Sequence, residues 1–333
     1  MHVISASYRT DIPAFYGEWF MGRVRAGYVR YHNPYGPQIV TVSFKPEDVH
    51  AVVFWSKNYA PFLKHLDELE QRRIDCYFHY AINGYADSPD SHPLEERVPH
   101  SEQTLKSFQT LAQRYNCPDY VQWRYDPIIF TPLTDADWHR RTFKHLIAQL
   151  AGSTRRCYFS FLDMYGKVAR NAKRLPPELQ PYDPPLEEKA MLARELATIA
   201  TQYDITLYTC AEDVVVDKAV NIKRGSCVDK DVLDLLWPHK QRKLKVSNNR
   251  GKCGCYDSRD IGAYDTCPHG CIYCYAVQNR PLALKRYAQH DPLHDALTKR
   301  ANDPPPLEQP LTTQESVQAP LPLSMPDDQR SSS

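Results

Sequence analysis

The sequence predicts an α/β fold, a partial or full (β/α) TIM-like barrel, and three observations carry that expectation. Short apolar runs alternate with helical stretches along most of the chain. Most runs are nearly continuously apolar, as strands covered on both faces are. Each run leads into polar or charged residues, which in a barrel converge on the C-terminal rim of the strands, where active sites lie.

The runs are HVISAS (2–7), AVVFWS (51–56), CYFHYAI (76–82), YVQWRY (120–125), CYFSFL (157–162) and ITLYTC (205–210), all rich in β-branched and aromatic residues. One interruption, YVRYHNPYGPQIVTVSF, reads as an inserted hairpin with Pro-Tyr-Gly-Pro at its turn. PFLKHLDELEQRR puts Phe62, Leu66 and Leu69 on one helical face behind Pro61. TDADWHRRTFKHLIAQLAG begins with Thr134 and Asp137 in capping-box spacing, repeats Phe143, Leu146, Ile147 and Leu150, and stops at Gly152. LEEKAMLARELATIATQY continues the pattern through Met191, Leu192, Leu196 and Ile199.

The strand ends carry side chains with chemistry to offer. Arg9 and Asp11 come after the first strand, Lys57 and Asn58 after the second, and Asn83 after the third. Arg124 and Asp126 end the fourth, Asp163 the fifth, and Cys210 with Glu212 the sixth. Any one of these is explained by a strand reaching solvent. Six in succession, beside Trp55 and Trp123, predict a shared pocket.

With 333 residues and a net charge of +1, the chain has room for one large core and no charge excess that announces nucleic acid or membrane. The start, MHVISASYRTDIP, lacks the basic and apolar regions of a signal peptide, and no run is long enough to span a membrane. A cytoplasmic protein is therefore expected, and disulfides are disfavoured for the ten cysteines. The expected organisation is a barrel core over 1–225, a cysteine-rich segment over 226–300 that completes it, and a disordered Pro-, Ser- and Gln-rich tail over 301–333.

The cysteines sort into three groups. Cys267, Cys271 and Cys274 lie in CPHGCIYCYA with the spacing C-x3-C-x2-C. Thiolates are the soft ligands of iron–sulfur clusters, and three in one loop can grip three irons of a cubane while the fourth stays open to a small molecule. Zinc usually takes four ligands, commonly from C-x2-C pairs, and fits this spacing less well; His269 is its candidate fourth ligand or a plain turn residue. Cys210, Cys227, Cys253 and Cys255 make a second set, large enough for a closed metal site, with core packing as the alternative. Cys76, Cys117 and Cys157 look structural.

C-x3-C-x-aromatic-C resembles the signature of the radical S-adenosylmethionine (SAM) superfamily, and HGCIYCYA resembles its variant in spore photoproduct lyase-like members. ISASYRTDIPAFYGEWFM, FWSKN, WRYDPI, LYTCAE and DIGAYDTCPHGCIYCYA together resemble the family called domain of unknown function eighteen forty-eight, up to about Gln278. The superfamily resemblance implies a [4Fe–4S] cluster on Cys267, Cys271 and Cys274 that chelates SAM and cleaves it reductively to a 5′-deoxyadenosyl radical. It implies an electron donor such as flavodoxin or ferredoxin, and an auxiliary cluster, or zinc, on the second cysteine set. Arg9, Asp11, Lys57, Arg124 and Asp126 are then candidates for acting on the substrate. Tyr273, stacked near the adenine, Asn58, Asp163 and Glu212 are candidates for binding SAM.

Two features depart from the superfamily. The cysteine loop comes last in the chain, so RDIGAYDT is expected to form a short strand beside HVISAS in a circularly permuted barrel. No Gly-Gly-Glu is present to hold the SAM amino group. The substrate is open: nucleic acid, peptide or small molecule. The alternatives are a zinc-bearing nucleic-acid-binding protein, for which HKQRKLKVSNNRGK would contact phosphates, and an iron–sulfur electron carrier.

Overall fold

The computed structural model describes residues 1–164, 166–209, 215–216, 221–240, 244–247, 254–305 and 307. β1 (His2–Ala6) leads into α1 (Ile12–Phe15), whose N-cap Asp11 accepts the Ala14 N–H at 3.0 Å. α2 (Gly17–Ala26) ends on Gly27 in the left-handed conformation. β2 (Tyr28–His32) and β3 (Ile39–Ser43) form the expected antiparallel hairpin, apart from the main sheet.

Next come the repeating units: β4 (Val49–Ser56) with α3 (Leu66–Gln71), β5 (Cys76–Ala81) with α4 (Ser101–Tyr115), and β6 (Val121–Ile128) with α5 (Ala136–Leu150). β7 (Arg156–Phe161) is followed by α6 (Gly166–Ala172) and α7 (Leu186–Thr201), then by β8 (Thr206–Thr209), β9 (Ile222–Arg224) and α8 (Lys230–Leu236). β10 (Ser258–Asp260) and α9 (Arg280–Ala288) complete the set.

Eight strands form one parallel sheet in the order β10-β1-β4-β5-β6-β7-β8-β9. All six apolar runs are strands of it. The strand expected near Arg259 forms, shorter than anticipated, and pairs with β1 through Val3 with Ser258, Ile4 with Arg259 and Ser5 with Asp260.

Period-two alternation divides the sheet residues between two cores. Ile4, Phe54, Phe78, Trp123, Phe159 and Leu207 pack against the helices, where Phe20, Leu69, Phe108, Phe143 and Leu196 meet them. Val3, Ala51, Val53 and Tyr77 face the other way, onto Val228, Val232, Leu233 and Trp237. Both faces are covered, which is why the strands read as continuous apolar runs. Cys76 and Cys157 are buried in the helix-side core, consistent with a structural role.

Three local expectations need correction. Residues 60–65 are a 3-10 helix, so only the second half of PFLKHLDELEQRR is α-helical. Asp135, not Thr134, caps α5, because the Thr134 hydroxyl is spent on the Ile129 carbonyl at 2.7 Å. Met191 is exposed and faces away from the core.

Candidate functional site

The cysteine loop hangs from the C-terminal end of β10, and Asp260 fixes it there. Its carboxylate accepts from Ser7 Oγ at 2.7 Å, the Tyr8 N–H at 2.6 Å, Arg9 Nε at 3.1 Å and the Gly262 N–H at 2.9 Å. Its carbonyl accepts a further Arg9 N–H. Gly262 is needed for close approach: a Cβ there would lie 2.1 Å from Ser7 Oγ. Beyond it, the loop closes through the Asp265 N–H on the Ala276 carbonyl, while Asp265 Oδ1 accepts from the Gln278 and Asn279 N–H groups. Gly270 takes the left-handed conformation that the turn between Cys267 and Cys271 requires.

Asp11 and Glu95 dock the loop onto the rim. Asp11 accepts from Ser56 Oγ at 2.7 Å, the Lys57 N–H at 2.9 Å and His269 Nε2 at 2.8 Å. His269 is thereby a latch between loop and rim. Glu95 is buried; Lys57 Nζ lies 2.7 Å from its carboxylate and the Tyr273 phenol donates to it. Glu95 also forms an isolated bridge with Cys271, and the Ile272 N–H donates to the Leu94 carbonyl. Lys57 stands over the Tyr273 ring, 5.6 Å from its centre. Burial disfavours the charged form of Lys57, yet Glu95, Cys271 and Asp126 outweigh it and raise its pKa.

Cys267, Cys271 and Cys274 are free thiols that keep partial solvent access although neighbours crowd them. Burial raises all three pKa values; Asp11 adds to the effect at Cys267, and Lys57 opposes it at Cys271 and Cys274. The backbone at His269 works against this rise at Cys267, and that at Ala276 and Val277 does so at Cys274. N–H groups aimed at sulfur favour the thiolate, the form that ligates metal. Three soft donors so surrounded fit an iron–sulfur cluster. Among the described residues no three His, Cys, Asp or Glu side chains form a group that could hold a metal ion. Thiolates that each ligate a different iron of a cluster stand farther apart than ligands of one ion.

Residues 3–276, from β1 to just past Cys274, match the family described as Domain of unknown function (DUF1848). The chain belongs to this family. No curated protein matches it, and no solved structure does. No helix among the described residues is long and apolar enough to cross a membrane.

In this DUF1848 chain the remaining predicted residues divide by what holds them. Arg9 is committed to Asp260, and Asn58 Oδ1 accepts the Ala60 N–H within its own turn. Arg124 pairs with Asp126 at 2.5 Å, and Ser160 donates to the same carboxylate. β4 and β6 flank β5 in the parallel sheet, so their ends lie on one rim, and Asp126 there helps raise the Lys57 pKa. Asn83 braces that corner by donating to the Pro127 carbonyl. Asp163 is exposed past the end of β7.

Of the second cysteine set, Cys227 and Cys255 meet: the Cys227 N–H donates to Cys255 Sγ at 3.0 Å, and Arg124 reaches Cys227 Sγ at 3.6 Å. Cys210, Glu212 and Cys253 lie outside the described residues. The sequence reading missed Glu95, Asp260 and His79. Asp260 precedes a glycine at the end of a short strand, a signal that could have been read. Glu95 sits in a polar loop with no signal at all. His79 donates Nε2 toward the Cys227 carbonyl at 2.8 Å and stacks on Trp55, while burial and Arg124 lower its pKa to about 3.

Proposed function

We propose that this protein is a radical SAM enzyme whose cluster is held by Cys267, Cys271 and Cys274. The observation that carries the reading is a three-cysteine loop docked through His269 on Asp11 and Tyr273 on Glu95, beside Lys57, at the C-terminal rim of a parallel sheet. When bound, the cluster would supply the electron that cleaves SAM to methionine and a 5′-deoxyadenosyl radical. The chain's own residues set the conditions. Lys57 brings a positive charge next to two of the sulfurs, Glu95 and Tyr273 hold that charge in place, and the loop keeps the thiols within reach of small molecules.

We also read the sheet as a permuted partial barrel. Val228 belongs to the same inner cluster as Val3 of β1, and its neighbour Asp229 pairs with Arg156 of β7 at 2.9 Å. A sheet curled around this segment would account for both. We place the protein in a reducing compartment such as the cytoplasm, and none of the eight described cysteines forms a disulfide among the described residues. Of the basic run behind the zinc-bearing nucleic-acid alternative, Lys240 pairs with Asp75 at 2.6 Å, while residues 241–243 and 248–252 lie outside the described residues.

The test is anaerobic purification with iron and sulfide analysis, then reduction by dithionite or flavodoxin with SAM present. About four irons on the loop, and 5′-deoxyadenosine that disappears when Cys267, Cys271 and Cys274 become Ala, are expected. Zinc without iron, and no deoxyadenosine, would overturn the reading.

A further inference from the structure

A cavity of about 550 Å³ lies at the rim opposite the cysteine loop. Its walls come from the N-terminal ends of β5 and β6, where Cys76 opens one strand and Tyr120 precedes the other. The last turns of α3 and α4 and the exit of α8 supply the rest. Pockets that take small organic molecules fall in this size range and combine apolar walls with a few polar groups. Ile74, Cys76 and Trp237 line it and are buried. Tyr120 stands at right angles to the Trp237 ring with centres 6.0 Å apart, and stacks on Tyr115 at 4.4 Å.

The charges on the lining are unevenly spent. Both of its acids are taken: Arg114 grips Glu70 at 2.9 and 2.8 Å, and Lys240 holds Asp75 at 2.6 Å. The two lining groups left without an ion pair among the described residues are both basic, the exposed Arg73 and His239. Arg73 also occupies a backbone position that another residue would take more easily. Its φ is 58°. Its N–H donates to the Glu70 carbonyl at 2.9 Å and the Ile74 N–H to the Leu69 carbonyl at 3.0 Å, the pattern that ends a helix on a left-handed residue, usually glycine. A long cationic side chain held there against that preference points to a use for the side chain.

We propose that this cavity binds a small aromatic carboxylate, its ring against the wall of Ile74, Tyr120 and Trp237 and its head group on Arg73. A guanidinium presents a fork that matches a carboxylate, and one such charge balances one negative charge where a phosphate monoester would bring two. The site is separate from the cysteine loop, and binding there needs neither SAM nor an electron.

The experiment is isothermal titration calorimetry of the full anaerobically purified chain with naphthoate, and with naphthyl phosphate and naphthylmethanol for comparison. One naphthoate per chain is expected, bound more tightly than either companion. Arg73→Gly removes the guanidinium while supplying the residue that the left-handed backbone prefers. It should melt no lower than the parent and yet bind naphthoate at least about tenfold more weakly, the loss of one hydrogen bond to a charged group. The neutral alcohol should bind this variant as it binds the parent. Arg73→Gln should show the same loss without the change of backbone preference, which keeps a folding effect apart from lost binding. Arg72→Gln alters the neighbouring residue, which pairs with Glu68 at 2.8 Å and does not line the cavity, and should bind as the parent does. No saturable heat up to about 1 mM naphthoate would overturn the proposal. So would an affinity untouched by Arg73→Gly and Arg73→Gln, or tighter binding of the phosphate than of the carboxylate.

Discussion

Asp260→Ala tests the physical link between sheet and cysteine loop most directly. The side chains of Arg9 and Asp260 are 7% and 10% exposed, so the substitution strands a nearly buried guanidinium. Removing one partner of such a pair costs about 3–5 kcal/mol. The Ser7 hydroxyl and the Tyr8 and Gly262 N–H groups lose an acceptor as well, at about 1–3 kcal/mol for each that stays dry. These losses overlap, and about 4 kcal/mol is a fair expectation. With a urea slope near 3 kcal/mol/M, the midpoint falls by roughly 1–1.5 M at unchanged slope. Arg9→Met in the same background should restore part of it, since the orphaned cation is then gone. Iron retained after reconstitution should fall in parallel, because the loop is hung from this residue. A midpoint shift below about 0.3 M, or Arg9→Met and Asp260→Ala losses that simply add, would refute the reasoning.

Acid lability should track the buried imidazoles: His2 and His139 have pKa values lowered to about 4 and His79 to about 3, chiefly by burial. The unfolded chain binds their protons first, so stability is full above about pH 6.5 and is lost as pH falls toward 4; His79→Gln should flatten that slope by up to about 4 kcal/mol in urea melts across pH. Lys57→Gln removes the cation beside Cys271 and Cys274, and should lower the reduction potential of a reconstituted cluster by on the order of 50 mV in an EPR-monitored titration. No change would mean the charge is screened. Burial pushes the Cys76 thiol up to about 12 and raises Cys157, so iodoacetamide at pH 8 should leave both unmodified in the folded protein by mass spectrometry.

The strands were legible because a sheet covered on both faces leaves no polar alternation to disguise them. β9 was not, since two of its three residues are exposed and no apolar run marks it. The inner cover of the sheet was invisible for a different reason. Val228, Val232 and Trp237 read as one more amphipathic stretch, and only their contact with Val3, Val53 and Tyr77 reveals which face they fill. At the site, cysteine spacing and the charged strand ends carried the reading, and Lys57 stands over the loop's Tyr273 while it pairs with Glu95. Arg9 and Asp11 turned inward because each meets a buried partner, Asp260 and His269, more than 250 residues away in sequence. A pairing over that distance leaves no local trace in the chain.

That same distance bears on why a cysteine loop at the end of the chain can serve a sheet that begins at residue 2. The Tyr8 N–H to Asp260, Tyr16 phenol to Thr266 and His269 to Asp11 contacts all span 250 residues or more. Closing a loop of that length instead of one tenfold shorter adds only about 2 kcal/mol of entropy cost. The ladder between β1 and β10 and the hydrogen bonds to Asp260 offset that amount. Chain order is therefore a weak constraint on the site, whereas strand adjacency is a strong one: the loop is where it is because β10 lies beside β1, whichever of the two is made first.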